Sequence, residues 1–134
     1  MKNIAIKEHH LYNKAYQKGS RYIGQCICVY ILRDYAAKRL MMENPQKKYI
    51  NRVGLTVSKK LGKAVVRNRT KRIIREAYSA ILRLRPIKTG YLIVIAARSG
   101  AVGKKTTDIE KELQSAFEYL KMFDNRARES ISNI

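Results

Sequence analysis

The chain has 134 residues, with 29 Lys and Arg against 10 Asp and Glu, a formal net charge of +19 and an apolar share of 46%. That length holds one domain with a sizeable core and little more, and the ordinary apolar share excludes a disordered basic tail. Such an excess of cations exceeds what solubility needs and points to a polyanion, first a nucleic acid; no apolar run is long enough to span a bilayer and MKNIAIKEHH carries no signal-peptide core, so the chain reads as cytoplasmic, with no membrane partner.

From the N-terminus, EHHLYNKAYQKG sets Leu11, Tyr12, Ala15 and Tyr16 on one stripe of a short helix, with Gly19 as its stop. His9 and His10 have no further His to complete a metal site and read as the solvated start of that helix. SRYIGQCICVYILR predicts a short strand, a kink or bulge at Gly24, and a second strand from about Gln25 to Arg33. The faces Ile27/Val29/Ile31 and Cys26/Cys28/Tyr30 are both apolar, which predicts cover on both sides. Cys26 and Cys28 form a lone C-x-C pair, a poor zinc signal. Neighbours on one strand face rarely form a disulfide, so both read as small buried apolar residues. Asp34 to Asn51 reads as an extended basic connection. RVGLTVS then alternates, Val53, Leu55 and Val57 to one face and Arg52, Gly54, Thr56 and Ser58 to the other. Joined this way, the two strands are most simply antiparallel.

KKLGKAVVRNRTKRIIREAY, residues 59 to 78, holds eight Lys and Arg before its first acid, Glu76. At 100° per residue Val66, Thr70, Ile73, Ala77, Ile81 and Leu84 cluster on one side, with Ile74 at the edge. Arg67, Asn68, Lys71, Arg72 and Arg75 spread over the opposite side, with Arg69 at the flank of the apolar stripe. The helix ends before Pro86 and presents a one-sided basic face. YLIVIAAR (Tyr91 to Arg98) reads as a buried strand. Thr107 and Glu110 have capping-box spacing ahead of a helix whose apolar face is Ile109, Leu113, Ala116, Phe117 and Leu120. The result is a single α+β domain over 1–134, a two-layer sandwich of order αβββαβα with a mostly antiparallel four-stranded sheet. Its ordered core runs from about 8 to 123, and the polar tail 124–134 frays.

Catalytic groups are scarce. Asp34, Glu43 and Glu76 lack obvious partners, and there is no G-x-x-x-x-G-K-[ST] loop. Binding is better supplied: Arg forks match phosphate, Asn68 suits a base edge or sugar hydroxyl, and tyrosines offer stacking faces worth roughly 1–3 kcal/mol per base. Tyr12, Tyr16 and Tyr30 either line one groove or are core residues with hydroxyls at the surface. A helix-turn-helix reader of DNA needs a companion helix close in sequence; here strands flank the basic helix, and RNA fits better. A structural RNA binder such as a ribosomal protein, and a free-standing nuclease, remain as other classes.

RVGLTVSKKLGKAVVRNRTKRIIREAY, with Arg67-Asn68-Arg69 at its centre, resembles the RNR signature of the bacterial ribonuclease P protein subunit. YNKAYQKG sits where that family has an aromatic, a basic residue, a second aromatic and a glycine, and Tyr30 takes the place of a further aromatic. The resemblance extends more weakly over roughly residues 8 to 120 and implies a left-handed βαβ crossover through the RNR helix, against the usual hand. It implies that the chain has no catalytic residues and no organic cofactor. An RNA subunit, holding Mg2+, would hydrolyse one phosphodiester of precursor tRNA. By position, Tyr12, Lys14, Tyr16, Tyr30 and Arg52 would meet the single-stranded 5′ leader, and Lys59, Lys60, Arg67, Asn68, Arg69, Lys71, Arg72 and Arg75 the catalytic RNA. The chain departs from the family in having tyrosines where many relatives have phenylalanine, and in a longer, more basic connection after Asp34.

Overall fold

The segment Tyr91–Ala97 is apolar at every position and is buried on both sides: Leu92, Ile93, Val94 and Ile95 are each 2% exposed or less. The computed structural model, which describes residues 2–6, 8–34 and 49–124, places this strand at the centre of the sheet. In chain order the elements are β1 (Lys2–Ala5), α1 (His9–Lys18), β2 (Ser20–Ile23), β3 (Ile27–Arg33), β4 (Tyr49–Thr56), α2 (Ala64–Leu84), β5 (Tyr91–Ala97) and α3 (Thr106–Tyr119), with short 3-10 turns at Lys59–Leu61 and Ser99–Ala101. The α+β class and the element order from α1 onward agree with the sequence reading.

Three features of the topology differ from it. The sheet has five strands in the order β1-β4-β5-β3-β2, because residues at the extreme N-terminus add a strand. Two pairings are parallel, β1 with β4 and β4 with β5, and two antiparallel, β3 with β5 and β2 with β3. The strands expected to be neighbours, β3 and β4, are separated by β5, whose continuous apolar run fits a central strand covered by helices on both faces. Helices cover both faces, as the two apolar faces of β3 predict, so the sandwich has three layers and not two. On one face, Leu11 and Ala15 of α1 pack with Ile6, Leu92 and Val94. On the other, Ile73, Ile74, Ala77 and Ile81 of α2 and Ile109, Leu113 and Phe117 of α3 pack on Ile27, Val29, Ile31, Ile93 and Ile95.

Local differences have identifiable causes. The chain does not kink at Gly24 but reverses, making β2–β3 a hairpin with Ile23 opposite Cys28. Cys26 lies in that turn, so it leaves the strand alternation and joins the α2/α3 core, its thiol donating to the Gly100 carbonyl at 3.4 Å; Cys28 is only half-buried on the other face. In α2, Ile74 and Tyr78 sit in the buried stripe while Leu84, the last residue of the helix, is 67% exposed. The Thr107–Glu110 box is not used. The N-cap is Lys105, two residues earlier, with the Asp108 carboxylate accepting the Lys105 backbone N–H at 3.0 Å. Gly19 ends α1 in an extended conformation, φ −76°, not in the left-handed one. After α3 the chain folds back, pairing Phe123 with Ile87, and Arg85 stacks over the Phe123 ring. The connection 35–48 and the tail beyond 124 fall outside the described residues.

One carboxylate fastens the hairpin to the helical layer. Glu112 of α3 accepts the backbone N–H groups of Gln25 (2.6 Å), Cys26 (2.9 Å) and Ile27 (3.0 Å). Gly24 permits it, because a Cβ there would fall on the Glu112 side chain. At the other end of the sheet, Asn51 is buried and bridges strands to loop, donating to the Lys88 carbonyl (3.0 Å) and accepting from the Tyr91 N–H (2.9 Å). Replacing Glu112 by Gln leaves an NH2 facing backbone donors. The variant is expected to lose about 1–3 kcal/mol of stability in urea unfolding; an unchanged midpoint would mean the carboxylate contributes nothing net.

Candidate nucleic-acid interface

The three tyrosines converge on the α1 face. Tyr12 and Tyr16 are one turn apart on α1, and Tyr30 rises from β3 to meet them. The Tyr16 and Tyr30 rings meet edge to face, centroids 4.8 Å apart and planes at 77°, a favourable aromatic geometry. The Tyr16 hydroxyl donates to Thr56 Oγ1 at 3.3 Å. Tyr12 lies directly over Gly54 of β4, where a side chain would collide with its ring and hydroxyl; this is why β4 carries a glycine in mid-strand. All three rings are half-buried and pack on the α1-side core. Both sequence readings are thus met in part: one side of each ring is core and the rest is open. Burial is the main cause that pushes the Tyr12 and Tyr30 hydroxyls upward, with Tyr16 adding at both and Arg21 opposing at Tyr30. They remain neutral phenols at physiological pH, able to donate and accept.

The two basic candidates for this cleft stand differently. Lys14 is exposed, but it lies roughly 160° around α1 from both Tyr12 and Tyr16 at ~100° per residue, away from the groove. Arg52 is on the cleft face of β4, yet its fork grips the buried Asp34, Nε to Oδ2 at 2.6 Å and Nη2 to Oδ1 at 2.8 Å. Such a bidentate pair fixes the guanidinium. Arg21 was not among the candidates. It is exposed and sits opposite Tyr30 in the β2–β3 register; reading Gly24 as a hairpin turn would have placed it there.

The cationic set divides into sectors. Asn68, Arg72 and Arg75 are exposed on the outward side of α2, whereas Arg67 and Lys71 are half-buried along one flank. The Arg67 Nε is shielded from solvent without a hydrogen-bond partner among the described residues. Arg69 leaves by the opposite flank, its Nη2 donating to the Lys104 carbonyl at 3.4 Å. Glu76, on that same flank, accepts from the Thr106 hydroxyl at 2.9 Å. Lys59 and Lys60 are exposed in the 3-10 turn ahead of the helix, where Ser58 Oγ accepts the Lys60 N–H. The first turn of α2 contains no acid and its N-cap is Lys63, so the helix forgoes the anionic side chain that normally complements its positive end. Only residues 57–63 separate Thr56, in the tyrosine cleft, from the start of this helix.

Comparison with known proteins agrees with this arrangement. The family model described as Ribonuclease P matches residues 1–121. The ribonuclease P protein component of Clostridium acetobutylicum is 35% identical over 117 residues, covering 87% of this chain and 88% of that protein. That of Clostridioides difficile is 34% identical over 110 residues, covering 82% and 85%. Among solved structures, the RNase P protein of Staphylococcus aureus superposes with a TM-score of 0.68 at 28% identity, over 92% of this chain and 100% of that one. The RNase P protein of Thermotoga maritima shares the fold, with a TM-score of 0.61 at 19% identity over 86% and 94%. With the family model spanning nearly the whole chain and a relative above 30% identity aligned over most of both sequences, the chain belongs to the ribonuclease P protein family.

Proposed function

We propose that this chain is the RNA-binding protein subunit of a ribonuclease P holoenzyme that removes the 5′ leader from precursor tRNA. In this reading an RNA subunit performs the hydrolysis, releasing leader and leaving a 5′-phosphate on the tRNA. The protein holds the two RNAs together against their mutual repulsion. The observation that carries it is the junction at the end of β4, where a half-open tyrosine cleft passes through the Lys59–Leu61 turn into a helix presenting Asn68, Arg72 and Arg75. The cleft offers aromatic faces on which single-stranded bases can stack, and the helix has the charge for a folded RNA. Tyr12, Tyr16 and Tyr30 are assigned to the leader, with Arg52 as their support through Asp34. Lys59, Lys60, Arg67, Asn68, Arg69, Lys71, Arg72 and Arg75 are assigned to the catalytic RNA.

Magnesium supplies Lewis acidity and a metal-bound nucleophile in phosphodiester hydrolysis. Among the described residues no group of three or more His, Cys, Asp and Glu comes together that would hold such an ion, and we assign it to the RNA. No helix among the described residues is long and apolar enough to cross a membrane. We place the protein in the cytoplasm, where precursor tRNA is processed.

The direct test is cleavage of precursor tRNA at low magnesium by protein alone, catalytic RNA alone, and both together. Activity only in the combination is expected, and cleavage by the protein alone would replace the reading with that of a nuclease. Arg72→Ala with Arg75→Ala should weaken assembly with the catalytic RNA and flatten its salt dependence by roughly one unit of slope per arginine, read by filter binding across a salt series. Gly54→Ala drives a methyl into Tyr12 and should reduce affinity for leader-bearing precursor about as much as Tyr16→Ala does, on the order of 1–3 kcal/mol. Tyr16→Phe, which loses only the bond to Thr56, should cost less than either. Equal affinity of all three variants for precursor with and without a leader would remove the cleft from the mechanism.

A further inference from the structure

β2 is the outermost strand at one side of the sheet, and among the described residues nothing pairs with its outer edge. The register shows which groups that edge presents. The Gly24 N–H donates to the Ile27 carbonyl at 2.9 Å and closes the hairpin, and antiparallel pairing alternates hydrogen-bonded with unbonded positions. Tyr22 and Ser20 therefore bond β3, whereas Arg21 and Ile23 turn their N–H and C=O groups outward. Unpaired backbone groups of this kind are a template for another strand.

The edge is apolar and open on both faces. Tyr22, opposite Val29, lies on the face of the α2/α3 core, where its ring meets that of Tyr119 at the end of α3, centroids 5.6 Å apart and planes at 56°. Tyr119 is 70% exposed, and Ile23, on the other face, is 58% exposed. A strand edge guarded against pairing is short, charged or covered. This one is short and carries Arg21, yet it has an exposed apolar group on each side.

Charge selects the partner. Arg21, Lys18 just before the strand, Arg33 at the end of the neighbouring β3, and Lys121 two residues past Tyr119 are all exposed. The acids on the adjoining stretch of α3 are engaged: Glu112 accepts the hairpin amides, and Glu118 pairs with Arg85 at 3.4 Å. α3 packs on β2 and β3 while α2 packs on β4, so α3 stands between this edge and the cationic helix. RNA would satisfy the cations but has no ladder of amides to offer the edge. An extended acidic peptide satisfies both.

We infer that the β2 edge is a docking site for an extended acidic peptide segment of a partner protein, which adds a strand to the sheet. One row of its side chains, apolar, lies against Tyr22 and Tyr119. The other row rests on Ile23 with its carboxylates toward Arg21. The site goes beyond the RNA reading and does not depend on it.

The test adds short synthetic peptides to the full chain. One alternates Asp with Val; the other has Pro in place of each Val, which removes amide donors at the same charge. The Arg21 and Ile23 amides are expected to exchange roughly 10-fold or more slowly with the Asp–Val peptide, and at the free rate with the Asp–Pro peptide, read by NMR. Tyr119→Ala and Ile23→Ser, each confirmed folded by its thermal melt, should weaken the Asp–Val peptide by roughly 5-fold or more in fluorescence anisotropy. Equal binding of the two peptides, or binding without protection of those amides, would mean attraction by charge alone and overturns the inference, as does no binding of the Asp–Val peptide. Protection that grows with protein concentration in the absence of peptide would make a second copy of the chain the occupant. Loss of oligouridine affinity in Tyr119→Ala, with no effect on the peptide, would make it RNA. Either result replaces the inference.

Discussion

Everything in this molecule depends on one strand having no polar side. β5 lies between β3 and β4, with Ile93 and Ile95 facing α2 and α3 and Leu92 and Val94 facing α1. Burying a strand on both faces requires helices on both faces. That requirement separates the proposed leader cleft from the cationic helix by the thickness of a sheet. Each surface then has a rigid support, and neither needs the other's residues for its own packing. What joins them is covalent and short: Thr56 closes the cleft, and after residues 57–63 the chain begins α2. The parallel pairing of β4 and β5 requires a crossover of this kind, so the element that connects the two central strands also carries the RNA-facing charge.

Local periodicity disclosed the helices and strands but not their partners. The one-sided charge of α2 was legible because the 3.6-residue repeat fixes relative angles along a helix. The same repeat cannot say where the stripe is centred; that is decided by what the helix lies on. Ile74, read as an edge residue, is fully buried and Leu84, read as part of the stripe, points to water. The repeat put Arg69 at the flank, but it counted Arg67 and Lys71 with Asn68, Arg72 and Arg75 on the open side, whereas both are half-buried. The insertion of β5 between β3 and β4 is a choice between strand orders of similar local pattern. The resemblance to a known family identified the chain but did not reveal the extra N-terminal strand.

The candidate cleft shows the same division. Its aromatic content was plain from the spacing of Tyr12 and Tyr16 and the strand position of Tyr30. Its glycine was not, because the need for Gly54 arises only when α1 lays Tyr12 across β4, a contact between residues far apart in sequence. Arg52 was assigned to the leader by its place in the family resemblance, which does not show what else the side chain meets. The carboxylate that holds it, Asp34, sits at the far end of another strand and is brought close only by the sheet order. Charge alone identifies a binding protein, whereas tertiary structure decides which charges are available to bind.

That availability follows from where the acids go. Among the described residues, Asp34 is locked to Arg52, Glu112 to the hairpin amides, Asp108 to the start of α3, Glu76 to Thr106 and Glu118 to Arg85. Three of these five accept from backbone amides or a hydroxyl and neutralise no cation by the contact. Scattered instead over the outer side of α2, the same carboxylates would have formed exposed pairs worth little to stability and would have lowered the potential felt by an approaching phosphate. Used as acceptors for backbone and capping groups, they stabilise turns and helix ends at full hydrogen-bond strength. These five acids brace the fold, and none of these contacts falls on Arg72 or Arg75, which stay exposed beside Asn68 on the outer side of α2.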